Sequence, residues 1–167
     1  MIHFVVRSSN QKLKEAGLLA PMFFKQLSYA DLPLSFTHTE LNVGQVYAEI
    51  VQGTVYLPDR YVVVETYRPK WPWSKAIGYT LPKKPNYIFV NQYMLERLEV
   101  ADYVGNFVHE TMHLIGFKHR TNNPKKYRNL ESVPYAVGSL AEAWARYLSS
   151  PAPQLDLPIE PAILPYD

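Results

Sequence analysis

The sequence predicts an α+β fold, because strand-like and helix-like patterns occupy separate stretches of the chain. Between residues 35 and 90, short runs rich in Val, Ile, Tyr and Phe alternate with turn signals, as strands do. On either side, apolar side chains recur every three or four residues at 11–27, 98–115 and 138–149, which is the spacing of amphipathic helices. These patterns together predict helices packed against a sheet.

Composition narrows the class of protein. The 167 residues, with 47% apolar and 19% charged side chains, are typical of one globular domain spanning 1–167. A net charge of +2 gives no reason to expect a nucleic-acid partner. No apolar run approaches the roughly 20 residues of a membrane span, so no membrane partner is expected. Without cysteines, only His, Asp and Glu remain as metal ligands.

The N-terminus shows no recognisable export signal, since Met1–Arg7 has neither a basic leader nor a long apolar segment. An intracellular location, export by a non-standard route and a mature form are therefore the alternatives for the chain as written. No feature of the sequence predicts an oligomer, and a monomer is the expectation.

Five strands and one helix are predicted before the histidine-rich region. The strands cover 2–7, 35–38, 45–56, 61–67 and 86–90, each rich in β-branched or aromatic residues. The helix follows Ser8–Asn10, whose side chains can cap it, and Pro21 predicts a kink or an end near Ala20. Trp71 and Trp73 lie between two strands and are expected to form a local core, with an exposed binding ridge as the alternative.

The helical pattern at 98–115 ends in histidines with metal-ligand spacing. His109 and His113 are four residues apart, so one face of a helix presents both imidazoles. Glu110 lies about 100° around the helix, near enough to face a metal-bound water without being a ligand. Gly116 permits a left-handed residue that ends the helix, after which His119 can return as a third ligand. Three protein ligands and an open position are the arrangement of a catalytic zinc site.

The stretch His109–His119 reads H-E-x-x-H-x-x-G-x-x-H and resembles the metzincin clan of zinc endopeptidases. The order of strand, helix, several strands and histidine helix is also that of the clan's upper lobe. The resemblance implies a twisted, mostly antiparallel mixed sheet with two helices in an upper lobe, about 1–115. A small, mainly irregular lower lobe with one C-terminal helix, about 116–150, would follow. The proline-rich tail at 151–167 is expected to lie extended on the surface.

The resemblance also implies a mechanism and a substrate. Zinc held by His109, His113 and His119 would activate a water for attack on a peptide bond. Glu110 would act as general base and then deliver the proton to the leaving amine. The substrate would be a peptide or protein that is cleaved internally. Imidazole ligands also accept other divalent metals, so zinc is expected from the resemblance rather than from the ligands alone.

The segment Ala76–Pro82 resembles the clan's edge strand, which pairs with an extended substrate backbone. This makes Ala76, Gly78 and Tyr79 candidate substrate-binding residues. Gly78 removes a side chain where another backbone could approach, and a free strand edge offers N–H and C=O groups to a peptide. An ordinary strand that ends at Pro82 explains the same residues equally well.

One feature of the clan is missing. Metzincins have a methionine turn beneath the zinc, often within Ser-x-Met-x-Tyr, and here no methionine follows Met112. The nearest counterpart is Ser132–Tyr135, where valine or proline stands in place of methionine. Tyr135 is a candidate catalytic residue, since in some metzincins the tyrosine after this turn binds zinc or hydrogen-bonds the reacting carbonyl. A tyrosine of the core is the alternative.

Three other interpretations fit the same residues. Glu142, on the last predicted helix, could replace His119 as third ligand, as a glutamate does in gluzincin peptidases. The chain could be a non-catalytic zinc-binding module, although such a module would have no use for Glu110. It could also be another zinc amide hydrolase, and the Trp71 and Trp73 pair would suit a sugar-containing substrate.

Overall fold

The computed structural model describes residues 2–56, 61–71, 73–119 and 131–150. Across these residues the chain forms four α-helices and a four-stranded mixed sheet, a mixed α/β arrangement. In chain order the elements are β1 (His3–Arg7), α1 (Gln11–Gln26), α2 (Val43–Tyr56), β2 (Tyr61–Tyr67), β3 (Gly78–Leu81), β4 (Lys84–Asn91), α3 (Val100–Leu114) and α4 (Val133–Ser149). None of the helices in this part of the chain is long and apolar enough to cross a bilayer.

The sheet has the strand order β1-β2-β4-β3, with β3 at one edge. β1 pairs with β2 and β2 with β4 in parallel, whereas β3 pairs with β4 in antiparallel orientation. The expectation of a mostly antiparallel sheet is therefore wrong. Helices α1 and α2 connect β1 to β2 and return the chain in the same direction, while only a short turn separates β3 from β4.

The predicted strand at 45–56 is wrong, because this segment belongs to helix α2. Val46 and Ile50 are buried at 0% and 1% exposure, and a spacing of four is helical. The Asn42 side chain accepts a hydrogen bond from the Gln45 backbone N–H at 3.0 Å, and Gln45 Oε1 accepts one from the Asn42 N–H at 2.9 Å. The helix thus begins with a reciprocal cap, the signal that the β-branched composition of the segment concealed.

Two further local expectations differ from the structure. Residues 35–38 form no strand, and Thr37 makes only an isolated bridge with Ser132. Helix α1 continues through Pro21 instead of ending near Ala20. Its buried positions lie on both sides of the proline: Leu13, Ala16, Gly17, Ala20 and Phe23. Burial of this continuous face stabilises the helix beyond the one hydrogen bond that the proline removes.

Helix α3 is the central element of the fold and matches the prediction at 98–115 to within two residues at each end. It packs against α1, α4, β3 and β4. Its fully buried side chains are Tyr103, Val104, Phe107, Val108 and Met112. The Phe107 ring stacks on Phe4 of β1 with centroids 5.5 Å apart. The face of α3 that carries His109 and His113 is therefore supported by a closely packed core.

Helix α4 begins at Val133, earlier than the predicted start at residue 138. Ser132 occupies the N-cap position, and Pro134 lies in the first turn, where a missing N–H removes no helical bond. The counterpart of the missing methionine turn is thus the first turn of a helix. The predicted tail at 151–167 lies outside the described residues.

The tryptophan pair does not form the expected local core. Trp71 and Trp73 are 54% and 70% exposed, and their rings stack on each other with centroids 5.0 Å apart. The Lys70 ammonium lies 5.4 Å from the Trp71 ring centroid. The pair is a surface feature in the segment that leads into β3.

Candidate metal centre

The C-terminus of α3 directs the chain back towards its own histidines. Gly116 has φ +109° in the left-handed region, where a side chain would be strained. The Gly116 N–H donates to the His113 carbonyl at 3.1 Å, and the Phe117 N–H donates to the Met112 carbonyl at 2.9 Å. These two bonds form a Schellman motif that satisfies the last helical carbonyls. Because the chain reverses here, His119 returns to the face that carries His109 and His113.

The three histidines form one cluster. Their candidate ligand atoms all lie within 4.8 Å of one another, close enough to hold a metal ion. The ring centroids of His109 and His113 are 5.0 Å apart, and His119 lies 5.4 Å and 4.8 Å from them. No other group of three or more His, Asp or Glu side chains gathers in this way within the described residues. The spacing prediction of a three-histidine site is thus matched by the geometry.

Local hydrogen bonds orient the ring of His113. Its Nδ1 lies 2.8 Å from the Phe117 carbonyl, which can only accept, so Nδ1 carries the proton. The neutral ring then presents Nε2 without a proton, as a metal ligand requires. The helix cap and the ligand are therefore linked, since Phe117 supplies both the N–H that closes the cap and the carbonyl that orients the ring.

Burial keeps the helical histidines neutral. Desolvation, assisted by the neighbouring His113 and His119, lowers the pKa of His109 to about 3, against a smaller opposing effect of a hydrogen bond with the Pro134 backbone. Desolvation also lowers the pKa of His113, and the Phe117 hydrogen bond opposes it. Neutral imidazole is the form that binds metals. These two rings are therefore in their ligand form at neutral pH.

Glu110 is buried beside the cluster, with 5% of its surface exposed. Desolvation raises the pKa of its carboxyl to about 7, since burial disfavours the charged form. A carboxyl with a pKa near neutrality can both accept and release a proton at physiological pH. A cation bound by the histidines would favour the carboxylate form. Glu110 is not one of the clustered side chains, as expected for a base that is not a ligand.

Two glycines bring helix α4 against the histidine helix. A Cβ on Gly105 would lie 2.9 Å from the Glu142 Cβ and 3.0 Å from the Gly138 carbonyl oxygen. A Cβ on Gly138 would lie 3.0 Å from both the Gly105 carbonyl oxygen and the His109 Cβ. The helices therefore touch through their backbones at this crossing, closer than any side chain would permit. The crossing brings the first turn of α4 beside the imidazoles.

Tyr135 projects from that first turn towards the histidines. Its ring centroid lies 4.5 Å from that of His109 and 4.9 Å from that of His119, and the residue is 39% exposed. The alternative of a core tyrosine is therefore disfavoured. The phenol is accessible from solvent and adjacent to two of the three candidate ligands.

A cleft of about 1000 Å³ separates the helices from the edge strand β3. The predicted substrate-binding residues Ala76, Gly78 and Tyr79 line one side. The side chains of the site line the other: His109, Glu110, His113, His119 and Tyr135. The structure thus brings all the predicted site residues to one cleft, and β3 is an edge strand of the sheet that the described residues form.

Glu142 lines the same cleft but is not one of the clustered residues. Its Oε1 accepts hydrogen bonds from Arg146 Nε at 3.1 Å and Nη2 at 2.9 Å. Arg146 also pairs with Asp102 of α3. Glu142 therefore ties the two helices together through an arginine, and the geometry favours His119 over Glu142 as the third ligand.

Sequence reasoning missed two asparagines that shape the cleft. The buried Asn91 side chain donates to the carbonyls of Ser74 and Ala76 at 3.3 Å and 3.0 Å, which holds the segment before β3. Asn106 lies on α3 against Gly78. The Asn91 oxygen also accepts a hydrogen bond from the nearby Tyr93 N–H, but the carbonyls that Asn91 holds lie 15 and 17 residues earlier in the chain. Gly78 is likewise far from Asn106 in sequence, so no local pattern reveals these contacts. For Asn106, the spacing of three before His109 places it on the cleft face and was the available signal.

Comparison with known proteins identifies no relative. No family model, no curated protein and no solved structure matches the chain. The function is therefore inferred from the geometry of the site.

Proposed function

We propose that this protein is a zinc-dependent endopeptidase of metzincin type. The observation that carries the proposal is the cluster of His109, His113 and His119 in a cleft, with a buried carboxyl, Glu110, next to it. Three imidazoles with no fourth protein ligand among the described residues leave a position open, which distinguishes catalytic zinc sites from structural ones.

The donor set fits zinc. Neutral imidazole nitrogens are among the preferred ligands of this metal, and burial keeps His109 and His113 neutral. The hydrogen bond between His113 Nδ1 and the Phe117 carbonyl is the kind of supporting contact that fixes a ligand ring. When bound, zinc supplies Lewis-acid polarisation of the scissile carbonyl and activates water as the nucleophile.

The residues of the chain supply proton transfer and charge stabilisation. The Glu110 carboxylate accepts a proton from the attacking water and delivers it to the nitrogen of the leaving amine. Its burial supports this role, because the pKa of about 7 is near the working pH of a general base. The Tyr135 hydroxyl, adjacent to His109 and His119, is suited to donate a hydrogen bond to the developing oxyanion.

The edge strand β3 is suited to hold the substrate. Within the described part of the chain no strand pairs with its outer edge, to which an extended peptide can add as a further strand. Ala76, Gly78 and Tyr79 line the cleft on this side. A peptide bound there lies between the strand and the histidine helix, so an internal bond of a longer chain can reach the site.

The proposal is tested by digesting a peptide library with zinc-loaded wild type and with Glu110→Ala. We expect cleavage by the wild type and a loss of about 10²–10⁴-fold in the variant, the usual contribution of a general base. Zinc content, measured in parallel, should stay at about one ion per chain in both proteins. Full activity of Glu110→Ala would contradict the mechanism. A wild type that binds zinc and peptides but cuts neither peptides nor small amides would instead be a binding module.

A further inference from the structure

One contact between the two sides of the cleft joins Asn106 of α3 to Gly78 of β3. A Cβ on Gly78 would lie 2.6 Å from Asn106 Oδ1 and 3.0 Å from the Phe89 carbonyl oxygen. No side chain therefore fits at position 78, and the backbone of the edge strand rests on the Asn106 carboxamide. The thickness of one carboxamide sets the distance between helix and strand here.

The oxygen of the same carboxamide is not satisfied by a hydrogen bond within the described residues. Asn106 Oδ1 is buried and has no hydrogen-bond partner among the described residues. Burying a polar atom without a partner is unfavourable, and such atoms in native proteins call for a functional explanation. Because no hydrogen bond holds this oxygen, its contact with Gly78 is a packing contact, which an apolar side chain of the same shape could also make.

The contact between Asn106 and Gly78 lies next to the candidate metal ligands and the edge strand. Asn106 precedes His109 by three residues and Glu110 by four, so it shares the cleft face of the helix with them. Gly78 begins the edge strand and pairs with Val90 of β4. The carboxamide thus links the helix that carries the candidate ligands to the strand that offers its edge to a peptide.

We propose that Asn106 is a positioning residue whose carboxamide, seated on Gly78, sets the distance between a bound peptide backbone and the metal ligands. This inference rests on the proposed function. It implies that the Asn106–Gly78 contact controls the binding of the peptide part of a ligand and leaves metal binding unaffected.

The test compares two hydroxamates on zinc-loaded protein: acetohydroxamate, which reaches only the metal, and a peptidyl hydroxamate that also covers the edge strand. We expect Gly78→Ala to weaken the peptidyl hydroxamate about tenfold, as overpacking does, and acetohydroxamate less than about twofold. Asn106→Ala removes the carboxamide that acts as the spacer between helix and strand. It should likewise weaken the peptidyl hydroxamate more than acetohydroxamate. The double variant should recover to within about threefold of wild type, since the added methyl then occupies the vacated space.

Asn106→Leu keeps the branched shape of the side chain without its polarity. If the spacer acts by its volume, this variant should retain peptidyl-hydroxamate affinity within about threefold. The thermal unfolding midpoint shows whether Gly78→Ala folds. If it does not fold, Asn106→Leu still tests the role of the carboxamide. Equal losses for both hydroxamates, or a double variant no better than its parents, would overturn the inference.

Failure of the spacer and failure of the proposed function give different results. If the wild type cuts peptides and Gly78→Ala does so with unchanged KM, only the spacer is wrong. If the hydroxamates behave as expected but no peptide is cut, the spacer stands and the peptidase proposal fails. If the wild type binds the peptidyl hydroxamate no better than acetohydroxamate, the strand is not a peptide site and both fail.

Discussion

The two sides of the cleft are held in place by different means. On the helical side, α3 and α4 meet through the backbones of Gly105 and Gly138, and side chains on both helices surround the candidate metal centre. On the strand side, β3 is held by its antiparallel pairing with β4, and two amides, Asn91 at the end of β4 and Asn106 of α3, contact the chain at or just before the start of β3. At the cleft the two helices thus meet through their backbones, whereas β3 meets α3 through the Asn106 side chain.

This difference separates two functions of one site. A rigid helical side preserves the spacing of ligands and general base, which a metal site requires to within a fraction of an ångström. A strand side that depends on side chains can set which peptides fit without disturbing the metal. Changes on the helical side should therefore affect metal binding, protonation and stability, and changes on the strand side should affect peptide affinity.

The largest expected effect concerns His119, the candidate ligand that comes from the loop after the helix. We expect His119→Ala to weaken zinc binding by more than the roughly 10–100-fold that loss of a ligand-supporting residue costs. Glu142→Ala, on the helical side but paired with Arg146, should keep about one zinc per chain. Metal analysis after dialysis, together with a competition titration, measures both variants.

The reverse result would change the ligand set. If Glu142→Ala lost zinc and His119→Ala kept it, the third ligand would be the glutamate and the site would be gluzincin-like. Loss of zinc in both variants would mean that the Glu142–Arg146 pair supports the ligands through the α3–α4 contact.

The helical side was also the more predictable from sequence. The spacing of His109 and His113, and the role of Gly116, follow from local helix geometry, and the structure shows the cluster and the helix cap. Strand β2 at 61–67 was predicted with its observed bounds, because its apolar run is short and flanked by turn signals. In these cases, patterns within a few residues were enough to predict the structure.

The strand side depended on contacts that no local pattern contains. The parallel pairing of β2 with its neighbours follows from the path of the connecting helices, and α2 was mistaken for a strand, which removed one of them from the expected path. The contact between Gly78 and Asn106 joins residues that are far apart in the chain. Tyr135 was placed correctly near the histidines only by resemblance, since the glycine crossing that brings it there is a tertiary contact.

A second prediction concerns the ionisation of Glu110 in the metal-free protein. Burial raises the pKa of this carboxyl to about 7, above its ordinary value of 4.5, so the ionised form destabilises the fold. This destabilisation is absent below pH 4.5 and complete above pH 7. Glu110→Gln should therefore make the metal-free chain more stable than wild type at pH 8, by up to about 3 kcal/mol, with no gain near pH 4. Urea unfolding across this pH range measures the difference.

Comparing Glu110→Gln with wild type separates the effect of the Glu110 carboxyl on stability from that of other titrating groups. His109 also responds to pH, since its lowered pKa means that stability is lost as pH falls from 6.5 towards 3, but both proteins share this effect. A pH-independent difference between the two proteins would show that folding does not shift the pKa of Glu110. Saturation with zinc should reduce the gain of the variant, because a bound cation favours the carboxylate.

The smallest expected effect tests the glycine crossing of the helical side. Gly105→Ala would place a Cβ 2.9 Å from the Glu142 Cβ, so we expect it to destabilise the protein by about 1–2 kcal/mol, although alanine is the better helix former. Gly44→Ala in α2 is the matched control, because its nearest neighbour would be 3.3 Å away, and it should be neutral or stabilising. In thermal unfolding the loss corresponds to a shift of about 2–4 °C per kcal/mol. Equal midpoints for the two variants would mean that α4 can retreat from α3, and that the helical side is no more rigid than the strand it faces.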